Sequence, residues 1–273
     1  MAGAREASLT GVLSARPDGA TSLALALATR LSEAHQALLV DLCLERPEVA
    51  TLLDVDGSPN VYQLAYQSRM GVVTADGLEA HVQWHDGLAV LAGSWTTVQQ
   101  REEISDPFIE GLLATAAQSF DQVVLDLGRP LAALAPAIQN STLVWVVTPS
   151  PLGLAALDAS MSQLKAAGCE WTASAKVVLN RVSDRGWRGA GRFIEHEYGM
   201  QVAGELPVAS EFWQSVELSH SLRALRVPIP DRKRFARAYG SDAWLFRQAL
   251  DNLAERLPES RPTAGTNTRA VEA

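Results

Sequence analysis

Short, almost wholly apolar runs recur along this chain between longer Ala- and Leu-rich stretches, and that alternation constrains the fold more than any other feature. A run that is apolar at both odd and even positions must be buried on both faces, the condition of a parallel strand with helices packed above and below it. Strands are predicted at Ser8 to Leu13, Ala37 to Leu42, Leu88 to Ala92, Gln122 to Leu127, Thr142 to Thr148, Ala175 to Leu179 and Val202 to Leu206. Helices are predicted between them at Ala20 to Glu33, Pro107 to Ser119, Leu152 to Ala167 and Gly191 to Tyr198, with Gly168 and Gly199 as the glycines that end the last two. The expected architecture is α/β, a mostly parallel sheet sandwiched by helices.

Beyond the strands, the spacing of Phe235, Ala238, Tyr239, Leu245, Phe246, Leu250, Leu253 and Leu257 predicts an amphipathic helix or helix pair over 231–257, broken at Gly240. Residues 258–273 are rich in Pro, Thr, Gly and charge, offer almost nothing to bury, and are expected to be a disordered tail. No internal repeat or second boundary is visible, so residues 1–257 read as a single domain. At 273 residues, folding buries roughly three quarters of the unfolded surface.

Charge narrows the partners. With 23 Lys+Arg against 31 Asp+Glu the net charge is -8, which opposes bulk adsorption to nucleic acid or an anionic membrane. The best basic cluster, Arg232, Lys233, Arg234 and Arg237, reads as a solvated helix face, with a DNA or lipid patch as the less favoured alternative. Two isolated cysteines, Cys43 and Cys169, indicate neither a disulfide framework nor a zinc site. The N-terminal segment is too weakly apolar for a signal peptide or a membrane span, and a cytoplasmic protein is expected.

The chemistry-bearing pattern lies at the first strand. It is followed by Ser14-Ala15-Arg16-Pro17-Asp18-Gly19-Ala20-Thr21-Ser22 and then a long Ala-rich helix. A strand, a glycine loop and a helix form the setting in which backbone N–H groups cradle phosphates, a lysine reaches the outer oxygens and a hydroxyl holds Mg²⁺. Gly19 and Thr21 stand in place, but Ala20 occupies the lysine position. Read without a ligand, Gly19, Thr21 and Ser22 are simply a helix start with Asp18 as its cap. Asp41 and Asp126 close two later strands, where acids hold Mg²⁺ or its waters, although a strand-end acid is often only a polar terminator. Asn180 and Arg181 close another, and Asn180 reads equally as a turn residue or a base contact.

Taken together and in this order, these motifs resemble the ParA/MinD family of deviant P-loop ATPases over roughly residues 8 to 230. Within it, Gly87-Leu88-Ala89-Val90-Leu91-Ala92-Gly93 and the stretch from Phe120 to Pro130 are most similar to the CpaE/TadZ branch of pilus-assembly localisation factors. The resemblance implies a nucleotide, ATP or ADP, on the loop, with Thr21, Asp41 and Asp126 around Mg²⁺ and Asn180 at the adenine edge. It also sets Arg16, Gly19, Ala20, Ser22 and Arg181 beside the nucleotide. The chain departs from the family pattern where chemistry is done. Ala15 and Ala20 replace both lysines, one of which in the family reaches the phosphates of a dimer partner, and Cys43 replaces the catalytic acid two residues after Asp41.

One lost charge-assisted contact weakens binding by roughly 10- to 150-fold, and Pro17 and Asp18 add a missing N–H and a carboxylate. The expectation is therefore a pseudo-ATPase with weak or absent nucleotide binding. It is expected to act through protein partners, a second copy of itself (a homodimer) among them, to position pilus, secretion or division machinery, with partners recruiting it to a membrane or pole. Two alternatives stay open: an active ATPase in which Arg16 or a residue in trans replaces the lysines, and a DNA-associated partition factor.

The remaining candidates have plainer readings. His81 and His85 have a metal-pair spacing without a third ligand, and His35, His196 and His220 read as surface or helix-end residues. Cys43 reads as a small buried hydrophobe. Among seven tryptophans, Trp171, Trp187, Trp213 and Trp244 sit in polar surroundings, and Trp187 and Trp213 are the candidate interface anchors.

Overall fold

The computed structural model describes residues 7–68, 72–95, 103–169, 175–182, 187, 189–226 and 232–257. The predicted tail at 258–273, Trp171 and the side chains of Arg232 and Arg234 lie outside the described residues.

Eight strands form one sheet: β1 (Ser8–Leu13), β2 (Ala37–Asp41), β3 (Gln83–His85), β4 (Leu88–Leu91), β5 (Gln122–Gly128), β6 (Thr142–Val147), β7 (Lys176–Val182) and β8 (Gln201–Pro207). Their order is β3-β4-β2-β5-β1-β6-β7-β8. Every neighbouring pair is parallel except β3, which runs antiparallel to β4 through a tight turn with Asp86 and Gly87 both at positive φ. Helices α1 (Ala20–Leu31), α2 (Val49–Leu53), α3 (Val61–Gln67), α4 (Ala75–Glu79), α5 (Asp106–Ser119), α6 (Ala135–Gln139), α7 (Pro151–Ala166), α8 (Ala190–Tyr198), α9 (Ser210–Ser219), α10 (Arg223–Arg226), α11 (Arg232–Tyr239) and α12 (Ser241–Arg256), with a 3₁₀ turn at Ala132–Leu134, complete the described elements.

The double burial inferred from the apolar runs is visible residue by residue. Along β5, Val123, Leu125 and Leu127 face one core while Val124 faces the other. Along β6, Leu143, Trp145 and Val147 separate from Val144 and Val146 in the same way. Phe108, Ile109 and Leu112 of α5 and Leu157 and Leu164 of α7 cover the first face. The second is covered by α1, whose alanines let its axis lie close on the sheet, and by Phe246, Leu250 and Leu253 of α12. Gly168 and Gly199 end α7 and α8 in the left-handed region, as the sequence predicts, and Gly240 breaks α11 from α12.

From β1 the chain passes over β5 to β2, whereas from β5 it passes over β1 to β6. The connections thus diverge at β1, and in open parallel sheets the crevice at the strands' C-terminal ends beside such a point is the binding position.

Candidate functional site

A cleft of about 260 Å³ opens there, lined by Arg16, Pro17, Gly19, Ala20, Thr21 and Ser22 of the β1–α1 loop, by Cys43, Arg46 and Glu48 after β2, by Gly128 and Arg129 after β5, and by Arg181 of β7. Six of the sequence-predicted residues, Arg16, Gly19, Ala20, Thr21, Ser22 and Arg181, therefore share one wall system. Arg46 pairs with Glu48 at 2.7 Å and Arg129 with Glu45 at 3.5 Å, whereas Arg16 and Arg181 have no ion pair among the described residues.

Gly19 (φ 94°) is the N-cap of α1 and turns the chain in a conformation that only glycine adopts freely. No side chain caps the helix. This corrects the expectation that Asp18 does so. Its carboxylate turns instead to the end of β6, accepting hydrogen bonds from the Thr148 hydroxyl at 2.9 Å and the Thr148 N–H at 3.4 Å. Asn180 Nδ2 donates to the Asp18 carbonyl at 2.6 Å, and Asn180 Oδ1 accepts the N–H of Arg181. Both ends of the Asn180 amide are engaged within the chain, and Arg181 is held at a φ of 58°. Thr148 is a member of the site that the sequence reading did not single out.

Asp41 and Asp126 are register partners on β2 and β5, both out of contact with water. Asp41 accepts from the N–H groups of Cys43 (3.1 Å) and Val49 (3.3 Å), so it ties down the strand's exit. Burial, and then the neighbouring Asp126 charge, push its carboxyl well above the usual carboxylate range, while backbone N–H groups pull it back. Burial likewise raises Asp126 to about 6, against the lowering effects of the nearby Thr21 hydroxyl and the Gly128 N–H. Asp126 Oδ1 accepts from the Gly128 N–H, while Oδ2 is buried without a hydrogen-bond partner. Cys43 is buried, and desolvation together with both aspartates pushes its thiol up to about 12. It is a poor nucleophile and no substitute for a carboxylate.

The other candidates resolve simply. Among the described residues no group of three or more His, Cys, Asp and Glu could hold a metal ion. His81 is buried with Nδ1 2.8 Å from the Gly77 carbonyl, and His85 Nε2 lies 3.8 Å from Asp86. Trp187 is 43% exposed with its ring 5.3 Å from Phe193. Trp213 is half-buried, edge-on to Phe246. No described helix is long and apolar enough to cross a membrane.

A mostly parallel sheet with its cleft at the end of β1, a glycine loop leading into a buried helix, and acids near the C-terminal ends of β2 and β5 define the P-loop NTPase type of fold. Comparison with known proteins narrows this. No family model and no curated protein matches the chain in sequence. Among solved structures it is similar to a ParA family ATPase from Chlorobium tepidum TLS, with a TM-score of 0.70 and 21% identity over 87% of this chain and 98% of that one. It is similar also to a chain of the MinC:MinD cell division protein complex of Aquifex aeolicus (0.63, 16%, 94% and 99%), and to the septum site-determining protein MinD of Pyrococcus horikoshii OT3, complexed with Mg-ADP (0.63, 16%, 91% and 95%). The chain has the fold of the ParA and MinD ATPases.

That fold implies a nucleotide and Mg²⁺, and the residues fit them unequally. Asp126, with its unpartnered Oδ2, and the Thr21 hydroxyl that acts on its carboxyl bring oxygens suited to a hard cation or its waters. The uncapped start of α1 suits a phosphate. By contrast, Pro17 has no N–H and that of Asp18 is bound to the Arg16 carbonyl at 2.6 Å, so two loop positions offer no donor to a phosphate. Ala20 brings no charge.

Proposed function

We propose that this protein is a ParA/MinD-type positioning factor that does not turn over ATP and works through protein contacts. The observation that carries the reading is Cys43: at the position after β2 where hydrolysis needs a carboxylate to orient water, the chain has a buried thiol pushed up to about 12. Ala15 and Ala20, in place of the two lysines, remove the positive charge that phosphoryl transfer requires, and groups of that kind are worth ~10³-fold or more in rate. A neighbour of the same fold is a MinC:MinD complex, which supports action through a protein partner. Pilus, secretion or division machinery is the class of cargo, with the CpaE/TadZ branch as the nearest analogy, and Trp187 is the exposed aromatic on the described surface after β7 best suited to anchor a partner.

A second reading has its own support. Among the described residues Arg16 and Arg181 line the cleft without ion pairs, and Asp126 keeps an oxygen without a hydrogen-bond partner, which favours retention of Mg-nucleotide and, with Arg16 in the lysine's role, turnover. Purified protein assayed for Mg²⁺-dependent ATP hydrolysis separates the two. Release of phosphate at the background rate, unchanged by Thr21→Ala or Asp126→Ala, is expected. Turnover abolished by either substitution would establish the ATPase.

A further inference from the structure

We infer that Asp18 is a latch that locks the β1–α1 loop to the ends of β6 and β7, so that the cleft face keeps one shape without a ligand. Three bonds make the latch. Thr148, 130 positions away, donates twice to the Asp18 carboxylate, and Asn180, 162 positions away, donates to its carbonyl. The loop is tightened from inside as well, because the Ser14 hydroxyl and the Asp18 N–H both donate to the Arg16 carbonyl at 2.6 Å. Asp18 is itself buried, which keeps water from competing for these donors.

The packing leaves the latch no slack. A Cβ on Gly19 would lie 2.7 Å from Asn180 Nδ2, so the loop and the amide fit only with a glycine between them. Asn180 is fixed in turn by the N–H of Arg181, whose backbone sits in the left-handed region at a conformational cost that persists only where surroundings over-determine it. Beyond Thr148, Ser150 caps α7 by accepting from Gly153, and a Cβ on Gly153 would sit 2.1 Å from the Thr148 carbonyl. The start of α7 and the end of β7 therefore move with the loop or not at all.

In a nucleotide switch, the ligand's phosphates organise the loop and the surrounding surface changes with occupancy. Here side chains of the protein do the organising, which makes the face a constant platform. That use rests on the function proposed above, whereas the latch itself is tested separately.

Hydrogen exchange of the full chain, read by mass spectrometry over residues 14–23, 148–154 and 180–182, tests it. Wild type is expected to exchange equally in these three segments with and without Mg-ATP. Asp18→Ala and Thr148→Val are each expected to quicken all three together by roughly tenfold or more, the scale of one lost hydrogen bond to a charged group. The double variant should be no faster than Asp18→Ala alone. Thr148→Val keeps the side chain's shape and serves if Asp18→Ala does not fold. Quickening confined to the substituted segment, or wild-type segments slowed by Mg-ATP, would overturn the latch. ATP turnover with an unchanged wild-type exchange pattern would sink the proposed function and support the latch, and ligand protection without turnover would do the reverse.

Discussion

Asp41 and Asp126 sit opposite one another in register on neighbouring parallel strands, two carboxylates side by side where water does not reach. Burial is the main reason that Asp126 titrates at about 6 instead of 3.8. Between about pH 4 and pH 6 the folded protein therefore keeps a proton that the unfolded chain has lost, and stability falls as pH rises through that window. Asp126→Asn removes the charge and keeps an acceptor for the Gly128 N–H. It should be more stable than wild type at pH 7.5 by about 1 to 3 kcal/mol, with the gap closing below about pH 4. Urea unfolding across a pH series checks this, and a gap that does not vary with pH would refute it.

Gly128 has a φ of 56°, and a Cβ there would lie 2.3 Å from Cys43 Sγ. Gly128→Ala should destabilise by about 2 to 4 kcal/mol through strain and overpacking. In the Cys43→Ala background the same change should lose half as much, roughly 1 to 2 kcal/mol, because the sulfur is gone while the left-handed backbone remains. Equal losses in both backgrounds, measured by thermal unfolding, would mean that the contact is not the cause.

Cys43 and Cys169 are buried and both thiols are pushed up, Cys43 to about 12. Neither should react with a thiol-specific reagent at pH 8 in the native protein, and both should react once urea unfolds it. Fast labelling of Cys43 in the folded state would show that the cleft floor opens.

Arg247 of α12 is buried and bonds Glu33 at 3.1 Å and Asp251 at 3.2 Å, while Arg30 of α1 reaches the same Asp251 at 2.6 Å. Arg247→Ala should lose roughly 2 kcal/mol, discounted from the ~3 to 5 of a fully buried pair because the side chains of Glu33 and Asp251 are 26% and 32% exposed. Arg247→Met should recover part of it through the packing of its stem. Urea midpoints give the comparison, and identical losses would show that the charge alone matters.

The sheet was legible because its signal is local: each long apolar run became a strand with ends within a few residues of prediction. β7 runs on to Val182, three residues past its predicted end, through the stretch that holds Asn180 and Arg181. β3 escaped notice because three residues with exposed Trp84 at the centre carry no period. The helices from α2 to α4 are five to seven residues long, too short for a helical period, although α3 carries a readable start in the reciprocal bonds between Asn60 and Gln63. The cleft residues were legible from their order along the strand ends. The role of Asp18 was not, because its partners lie 130 and 162 positions away and the left-handed turn at Gly19 decides which way it faces.

Helix α12 packs on both α1 and β8, placing Phe246, Leu250 and Leu253 against the sheet face that α1 also covers. During synthesis that face cannot close until residues 241–257 have left the ribosome, by which time every strand and the whole cleft wall have already emerged. The opposite face, covered by α5 and α7, is free to assemble earlier. A chain stalled before α12 would display a bare apolar strip beside the cleft helix, so the timing of translation, as well as the strength of the finished core, decides how much of this protein reaches its native state.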